Sequence, residues 1–186
     1  MTQQSRTGMF QALSNFQTAR DRAATLSQNL IRLRNESLQE SLSDFENSEH
    51  KLEFVKTIEG VDFINDSRAT NANAVWFAME NMAQPIVWIT TMSNVDLITE
   101  DLQQLIREKV KIIVMQGVYN AALEDFFKSM NKDVYVVMNM EDAVRTAFYA
   151  GSSDETVLFS PGVVSVGMYR TYRERGEKFK EAVAQL

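Results

Sequence analysis

A dense group of polar side chains, Asn-Asp-Ser-Arg-Ala-Thr-Asn, occupies residues 65–71 of this 186-residue sequence. It follows a short apolar segment and precedes a predicted helix over residues 72–82. In α/β sheets a strand that ends at the start of a helix is a common place for ligands to bind. Amide, carboxylate, hydroxyl and guanidinium groups at such a place predict a ligand-binding site. A purely structural alternative is that Asn65, Asp66 and Thr70 only cap the following helix.

The surrounding pattern predicts the elements that must position these groups. Apolar residues at steps of three and four indicate a long amphipathic helix from Met9 through Leu33, and a shorter helix follows Asn35. Short apolar segments then alternate with amphipathic ones, which is typical of a mostly parallel sheet covered on both faces. Strands are predicted at 52–58, 61–64, 85–90, 110–115, 134–138 and 156–159, and helices at 72–82, 96–109, 120–130, 141–150 and 172–186.

These elements predict the fold class and the domain organisation. We expect an α/β fold with a Rossmann-like, mostly parallel sheet of about six strands and helices on both faces, preceded by a helical segment. The boundary is predicted between residues 1–47, the helical segment, and residues 48–186, the sheet domain. The loops after strands 61–64, 85–90 and 156–159 are expected to meet at one edge of the sheet.

Composition excludes several classes of function. A formal charge of −6 argues against a general nucleic-acid surface, and no apolar run has the length of a membrane span. The chain has no cysteine and one histidine, which excludes disulfides, thiolate metal sites and multi-histidine metal clusters. We therefore predict a cytoplasmic protein without a metal site. His50 is predicted to serve packing or a hinge rather than proton transfer.

Two segments resemble motifs of the D-glutamate-adding branch of the Mur ligase family. Residues 50–71, H-K-L-E-F-V…G-V-D-F-I-N-D-S-R-A-T-N, are similar to the pattern H-R-x-E…G-V-x-[FW]-I-N-D-S-K-A-T-N. Residues 159–179, F-S-P-G-V-V-S-V-G-M-Y-R-T-Y-R-E-R-G-E-K-F, are similar to L-S-P-A-x-A-S-x-D-x-[FY]-K-x-[FY]-x-x-R-G-x-x-F. The resemblance covers residues 26–186 and implies the C-terminal domain of such a ligase, with residues 38–45 resembling the tail of its central domain.

The resemblance implies two groups of ligand contacts. Lys51, where the family has Arg, and Asp66 are implied to contact a nucleotide. An amino-acid substrate pocket is implied to include Arg68, Thr70, Ser165 and Tyr172. Arg68 stands where the family has Lys, which keeps the charge but changes the hydrogen-bond geometry.

Other positions depart from the family pattern. After the third strand the family has G-G-x-x-K-[GS], whose Lys pairs with the side-chain carboxylate of D-glutamate. Residues 90–95 here read T-T-M-S-N-V, and G-G-x-x-K corresponds to residues 91–95, with Val95 at the Lys position. Loss of that charged contact is expected to cost about 1.5–3 kcal/mol of binding free energy. Gly167 stands at the family's Asp, and bulk at Val163 and Val164 is expected to narrow the pocket.

The chemistry of phosphoryl transfer is missing from the sequence. It contains no G-x-x-x-x-G-K-[ST] motif, and its seven glycines are scattered. The family uses ATP and magnesium, held largely by a central domain, so we predict no cofactor for this chain on its own and assign no catalytic residue. A charged group near the C-terminus alternates in sign and is predicted to be a solvated helix face: Arg170, Arg173, Arg175, Lys178 and Lys180 with Glu174, Glu177 and Glu181.

Three classes of function follow. We predict a non-catalytic binding or accessory module that retains a pocket for a small acidic amino acid or a nucleotide. One alternative is a fragment of an ATP-dependent D-glutamate ligase that acts together with the missing domains. The other is an interaction module, in which the N-terminal apolar stripe mediates homodimerisation or docking to a partner.

Overall fold

The computed structural model describes residues 49–83, 85–117, 119–165 and 167–186. The predicted N-terminal helices, their apolar stripe and the domain boundary after residue 47 lie outside these residues. Among the described residues, no helix combines the length and apolar character needed to cross a membrane.

Six strands alternate with helices along the described chain. The strands are β1 (Glu53–Ile58), β2 (Val61–Asn65), β3 (Ile86–Thr90), β4 (Val110–Gln116), β5 (Asp133–Val137) and β6 (Thr156–Phe159). The α-helices are α1 (Ala72–Glu80), α2 (Glu100–Lys109), α3 (Ala121–Ser129), α4 (Met140–Ala150) and α5 (Tyr172–Ala184), and a 3₁₀ turn spans Val95–Leu97.

The strands form one sheet in the order β1-β2-β6-β3-β4-β5. β1 and β2 are antiparallel, and the other neighbouring pairs are parallel. The hairpin between β1 and β2 turns at Glu59 and Gly60, which both adopt positive φ (49° and 86°), as a tight hairpin turn of this kind requires. The predicted fold class, a mostly parallel sheet of about six strands, is confirmed.

The core lies on both faces of the sheet. On one face α4 and α5 pack against alternate strand residues, with Phe159 stacked on Phe179 of α5 at a centroid distance of 5.0 Å. Trp88 of β3 meets Phe127 of α3 edge to face at 5.8 Å, and both side chains are fully buried. Burial on both faces explains why the parallel strands read as nearly continuous apolar runs.

Two sequence predictions were wrong in detail. The helix expected from residue 96 is interrupted: after the 3₁₀ turn, α2 begins at Glu100, because the Thr99 side chain accepts a hydrogen bond from Leu102 N and caps the new helix. A mixed-sign charged face was predicted for α5, but Arg175 of that helix is only 2 % exposed.

Candidate functional site

Three loops meet at the carboxyl edge of the sheet, as predicted. They are the β2 loop (residues 65–71), the β3 loop (residues 90–95) and the β6 loop (residues 160–165). β6 lies between β2 and β3, so its loop contacts both of the others. The loops are joined by main-chain hydrogen bonds of 2.8–3.2 Å, from Asp66 N to Phe159 O, from Gly162 N to Ala69 O and from Thr91 N to Pro161 O.

Gly162 makes this close approach possible. Its φ of +75° is a conformation that favours glycine, and a Cβ there would lie 2.2 Å from Met92 Cε. The β6 loop therefore passes directly under the β3 loop. A larger residue there would strain the backbone and require the Met92 side chain to move.

Asp66 has the most strongly shifted pKa among the carboxyl groups of the site. Its side chain is 4 % exposed and accepts hydrogen bonds from Ser160 Oγ (2.8 Å) and from Leu52 N (3.3 Å). Burial raises the pKa of Asp66 from 3.8 to about 7, against the opposing effects of these hydrogen bonds and of Lys51. Asp66 therefore changes protonation near neutral pH, and its carboxyl group is held in one orientation.

The prediction that Asn65, Asp66 and Thr70 only cap the helix after the β2 loop is wrong. The cap of α1 is Asn71, whose side chain accepts a hydrogen bond from Ala74 N at 3.0 Å. Asn65 instead reaches back to the start of the domain, with Nδ2 at 2.9 Å from Glu53 Oε2 and 3.0 Å from the ring of His50. His50 is 1 % exposed, in keeping with its predicted packing role.

Arg175 was missed as a site residue. Its Nε donates to Ser67 Oγ (3.1 Å), Nη2 to Ser67 O (2.8 Å) and Nη1 to Val163 O (3.0 Å), so it joins the β2 and β6 loops from below. No ion pair links Arg175 to a carboxylate within the part of the chain that the structure describes. Burial lowers the pKa of Arg175 to about 10, which leaves the guanidinium charged at neutral pH.

A signal for this burial was present in the sequence. Arg175, Phe179, Ala182 and Val183 follow the spacing of one helix face, and the last three belong to the core. The alternating charges of the neighbouring residues concealed that pattern.

Described residues at the edge line at least two cavities. The first, called the Arg175 cavity, has a volume of about 370 Å³ and is lined by the β3 and β6 loops, the end of β4 and Arg175. Two side-chain oxygens on its lining residues, Gln116 Oε1 and Ser165 Oγ, are buried without a hydrogen-bond partner among the described residues. The second, called the Asp66 cavity, has a volume of about 550 Å³. Its lining residues are Lys51, Leu52, Asp66, Arg68, Ala69, Ala74 and Phe77.

These cavities separate the residues that the resemblance grouped together. Arg68 shares the Asp66 cavity with Lys51 and Asp66, whereas Ser165 lines the Arg175 cavity. Thr70 and Tyr172 are half-buried and are not among the described residues that line either cavity. Two guanidinium groups lie near the Tyr172 ring, with Cζ of Arg68 and of Arg173 at 5.9 and 5.7 Å from its centroid.

Val95, which stands where the family has lysine, lies outside the lining of the Arg175 cavity. It is half-buried at the first residue of the 3₁₀ turn. Before it, Thr91, Met92 and Ser93 do line that cavity, and Met92 is 4 % exposed. Methionine therefore occupies part of the loop surface where the family pattern has glycine and lysine.

A cluster of two glutamates and a histidine elsewhere has the spacing of a metal site, but a lysine already balances its negative charge. Glu49, His50 and Glu177 bring their ligand atoms within 4.8 Å of one another. Lys180 Nζ lies 3.0 Å from Glu49, 3.3 Å from Glu53 and 2.8 Å from Glu177, so an ammonium group supplies the positive charge there. The predicted absence of a metal site stays a prediction.

Comparison with known proteins supports the resemblance. No protein-family model matches the chain. It is 38 % identical over 165 residues to the UDP-N-acetylmuramoylalanine–D-glutamate ligase of Bacteroides fragilis, covering 88 % of this chain and 37 % of that one. It is 32 % identical over 176 residues to the enzyme of the same name from Porphyromonas gingivalis, covering 94 % of this chain and 39 % of that one. It is 37 % identical over 164 residues to that of Salinibacter ruber, covering 88 % of this chain and 36 % of that one.

Among solved structures, the fold is similar to the UDP-N-acetylmuramate–alanine ligase of Thermotoga maritima. The TM-score is 0.50 at 15 % identity, and the match covers 78 % of this chain and 32 % of that one. The chain is thus a relative of the Mur ligases, the class of protein that its two motifs predicted. Within that class its sequence relatives are D-glutamate-adding ligases, and it spans little more than a third of their length.

Proposed function

We propose that the described domain is a binding module of the D-glutamate-ligase type. It receives a small acidic amino acid at the Arg175 cavity and part of a nucleotide at the Asp66 cavity, and it performs no phosphoryl transfer on its own. The observation that carries this proposal is the intact frame of the edge, in which three loops remain joined although several family side chains have changed.

The Arg175 cavity supports binding of an amino acid. A charged guanidinium and a buried hydroxyl without a partner, on Ser165, suit a carboxylate, and the unpaired Gln116 Oε1 suits an ammonium group. Buried polar atoms without partners cost free energy, so a ligand that satisfies them gains affinity.

The Asp66 cavity fits part of a nucleotide. Lys51 and Arg68 are the residues that would face phosphate oxygens, and the buried Asp66 carboxyl would face sugar hydroxyls. Bound ATP in the ligases supplies the phosphoryl group that activates a carboxylate. Two cations without a phosphate-binding loop are too few to hold a triphosphate and its metal, so the fit is to a fragment.

A second candidate function is favoured by the length of the relatives. Because the chain spans 37 % of the Bacteroides fragilis ligase, the domain is also suited to act with separate domains that supply ATP binding. Homodimerisation or docking through the N-terminal segment, and a cytoplasmic location, stay predictions.

Calorimetry on the purified chain tests the proposal. We expect D-glutamate and ADP to bind, and we expect no phosphate release from ATP with magnesium and D-glutamate present. Binding of neither compound would refute the binding module. Phosphate release that disappears in the Asp66→Asn variant would refute the non-catalytic assignment, whereas release unchanged in that variant would identify a contaminant.

A further inference from the structure

Arg175 carries a buried charge that the described residues do not neutralise. Its three hydrogen bonds go to one hydroxyl and two main-chain carbonyls, all uncharged groups. A guanidinium has five N–H donors, so two remain without a described acceptor. Buried charges are normally paired, and an unpaired one beside a cavity points to an anion supplied from outside.

The walls of the Arg175 cavity limit what that anion can be. Met92, Met138 and Met168 line it together with Val163 and Val164. Arg175 is the only cationic side chain among its described lining residues. One carboxylate is therefore compensated, and the rest of the ligand lies against thioether and aliphatic groups, where a second carboxylate would stay without a partner.

Gly167 is a second feature of the cavity wall. It lines the same cavity, and it stands at the position where the resembled motif has Asp. No atom lies within 4 Å of a Cβ built on Gly167, so the space for a side chain is open. A side chain at residue 167 therefore has room on the wall that Arg175 also lines, and the carboxylate of the resembled motif is absent there.

We propose that Arg175 is the specificity-determining cation of this cavity, which recognises one carboxylate of an amino acid and does not select for a charged side chain. The inference rests on the proposed function for the presence of an amino acid, and it narrows the ligand class. It predicts that D-glutamate binds no more tightly than its uncharged isostere D-glutamine, because the second carboxylate gains no partner.

A purely structural role for Arg175, as a clamp between Ser67 and Val163, makes a different prediction. If Arg175 only joins the two loops, a new carboxylate at residue 167 should not change ligand binding. If Arg175 binds an anion, that carboxylate should block the site. Gly167→Asp adds a carboxylate to the wall of the cavity that Arg175 also lines. Gly167→Asn is the matched control, because it has the same size and the same backbone strain at φ +84° without the charge.

The experiment measures binding of D-glutamate and D-glutamine to the wild type and both variants by calorimetry. We expect Gly167→Asp to weaken both ligands at least tenfold relative to Gly167→Asn, with similar thermal unfolding of the two variants. Equal binding by the two variants would overturn the proposal, as would a hundredfold preference of the wild type for D-glutamate.

A second measurement separates this inference from the proposed function. The side-chain Nε–H signal of Arg175 is followed by NMR while propionate, a simple carboxylate, is added. A shift of this signal in the wild type and Gly167→Asn, but not in Gly167→Asp, would support the carboxylate site at Arg175. If no amino acid binds in the calorimetry, that result would refute the proposed function alone. No shift in the wild type would overturn the assignment of Arg175.

Discussion

Ser160 Oγ donates a hydrogen bond of 2.8 Å to Asp66 Oδ2 across 94 residues of sequence. The contact joins the first residue after β6 to the first residue after β2, and both side chains are buried. It fixes the Asp66 carboxyl group in a place where burial, not a neighbouring charge, sets its proton affinity.

The stability of the domain should therefore depend on pH through Asp66. Its pKa of about 7 in the folded state lies above the ordinary value of 3.8, so the folded state binds the proton more tightly. The contribution of Asp66 to stability is full below about pH 4 and is lost as pH rises through 7. In Asp66→Asn this loss, on the order of a few kcal/mol, should disappear.

Urea unfolding at about pH 4.5 and about pH 8 measures the effect. Asp66→Asn should gain stability relative to the wild type at the higher pH. Asp125→Asn, at an exposed carboxylate of α3, is the control. A pH dependence that is the same in the wild type and Asp66→Asn would contradict the assignment.

Gly176→Ala should destabilise the domain, although alanine is the better helix former. At an unconstrained helical site the change would add up to about 1 kcal/mol of stability. Here a Cβ would lie 2.3 Å from His50 Nδ1, and overpacking of this kind costs about 1–3 kcal/mol. In a His50→Ala background the same change should be neutral or stabilising. Equal effects of Gly176→Ala in both backgrounds, measured by urea unfolding, would rule out the clash.

Thr99→Ala should lower the free energy of unfolding by about 1 kcal/mol, because the capping hydrogen bond to Leu102 N is lost. Thr99→Ser keeps the oxygen and should behave nearly as the wild type does. If the serine variant loses as much stability as the alanine variant, the capping role of the hydroxyl is wrong.

Val95→Lys should restore selectivity for an acidic side chain. The new cation at the rim of the β3 loop adds a charged contact, which is expected to strengthen D-glutamate binding about tenfold to hundredfold. D-Glutamine, which lacks the second carboxylate, should bind as it does to the wild type. Val95→Met serves as the uncharged control for chain length. Equal D-glutamate affinity in Val95→Lys and Val95→Met would show that the pocket has been rebuilt.

The sequence predicted the sheet well because its parallel strands are buried on both faces and read as apolar runs. The sequence predicted the ends of the helices and strands less well. The helix predicted from residue 96 starts later, at Glu100, because two caps lie close together in the chain: Asn94 caps the 3₁₀ turn and Thr99 caps α2. Met138 is a large apolar residue, yet it is 61 % exposed because it follows the edge strand β5.

The candidate site was predictable in outline only. Parallel topology was enough to bring the β2, β3 and β6 loops to one edge. The division into two cavities depends on contacts more than 90 residues apart, such as those of Arg175 with Ser67, which local patterns do not encode. A buried, unpaired arginine also breaks the expectation that charged residues lie on the surface.

The main-chain bonds between the three loops have an evolutionary consequence. Because the peptide N–H of Thr91 is one of the groups that join the β3 loop to the β6 loop, side chains of the β3 loop can change while this link persists. The replacement of a glycine-rich, lysine-bearing segment by T-T-M-S-N-V is a change of this kind. A lineage that exchanges side chains on such a frame keeps the option of new ligands, and of recovering an old one by a single codon change, long after its original specificity has drifted.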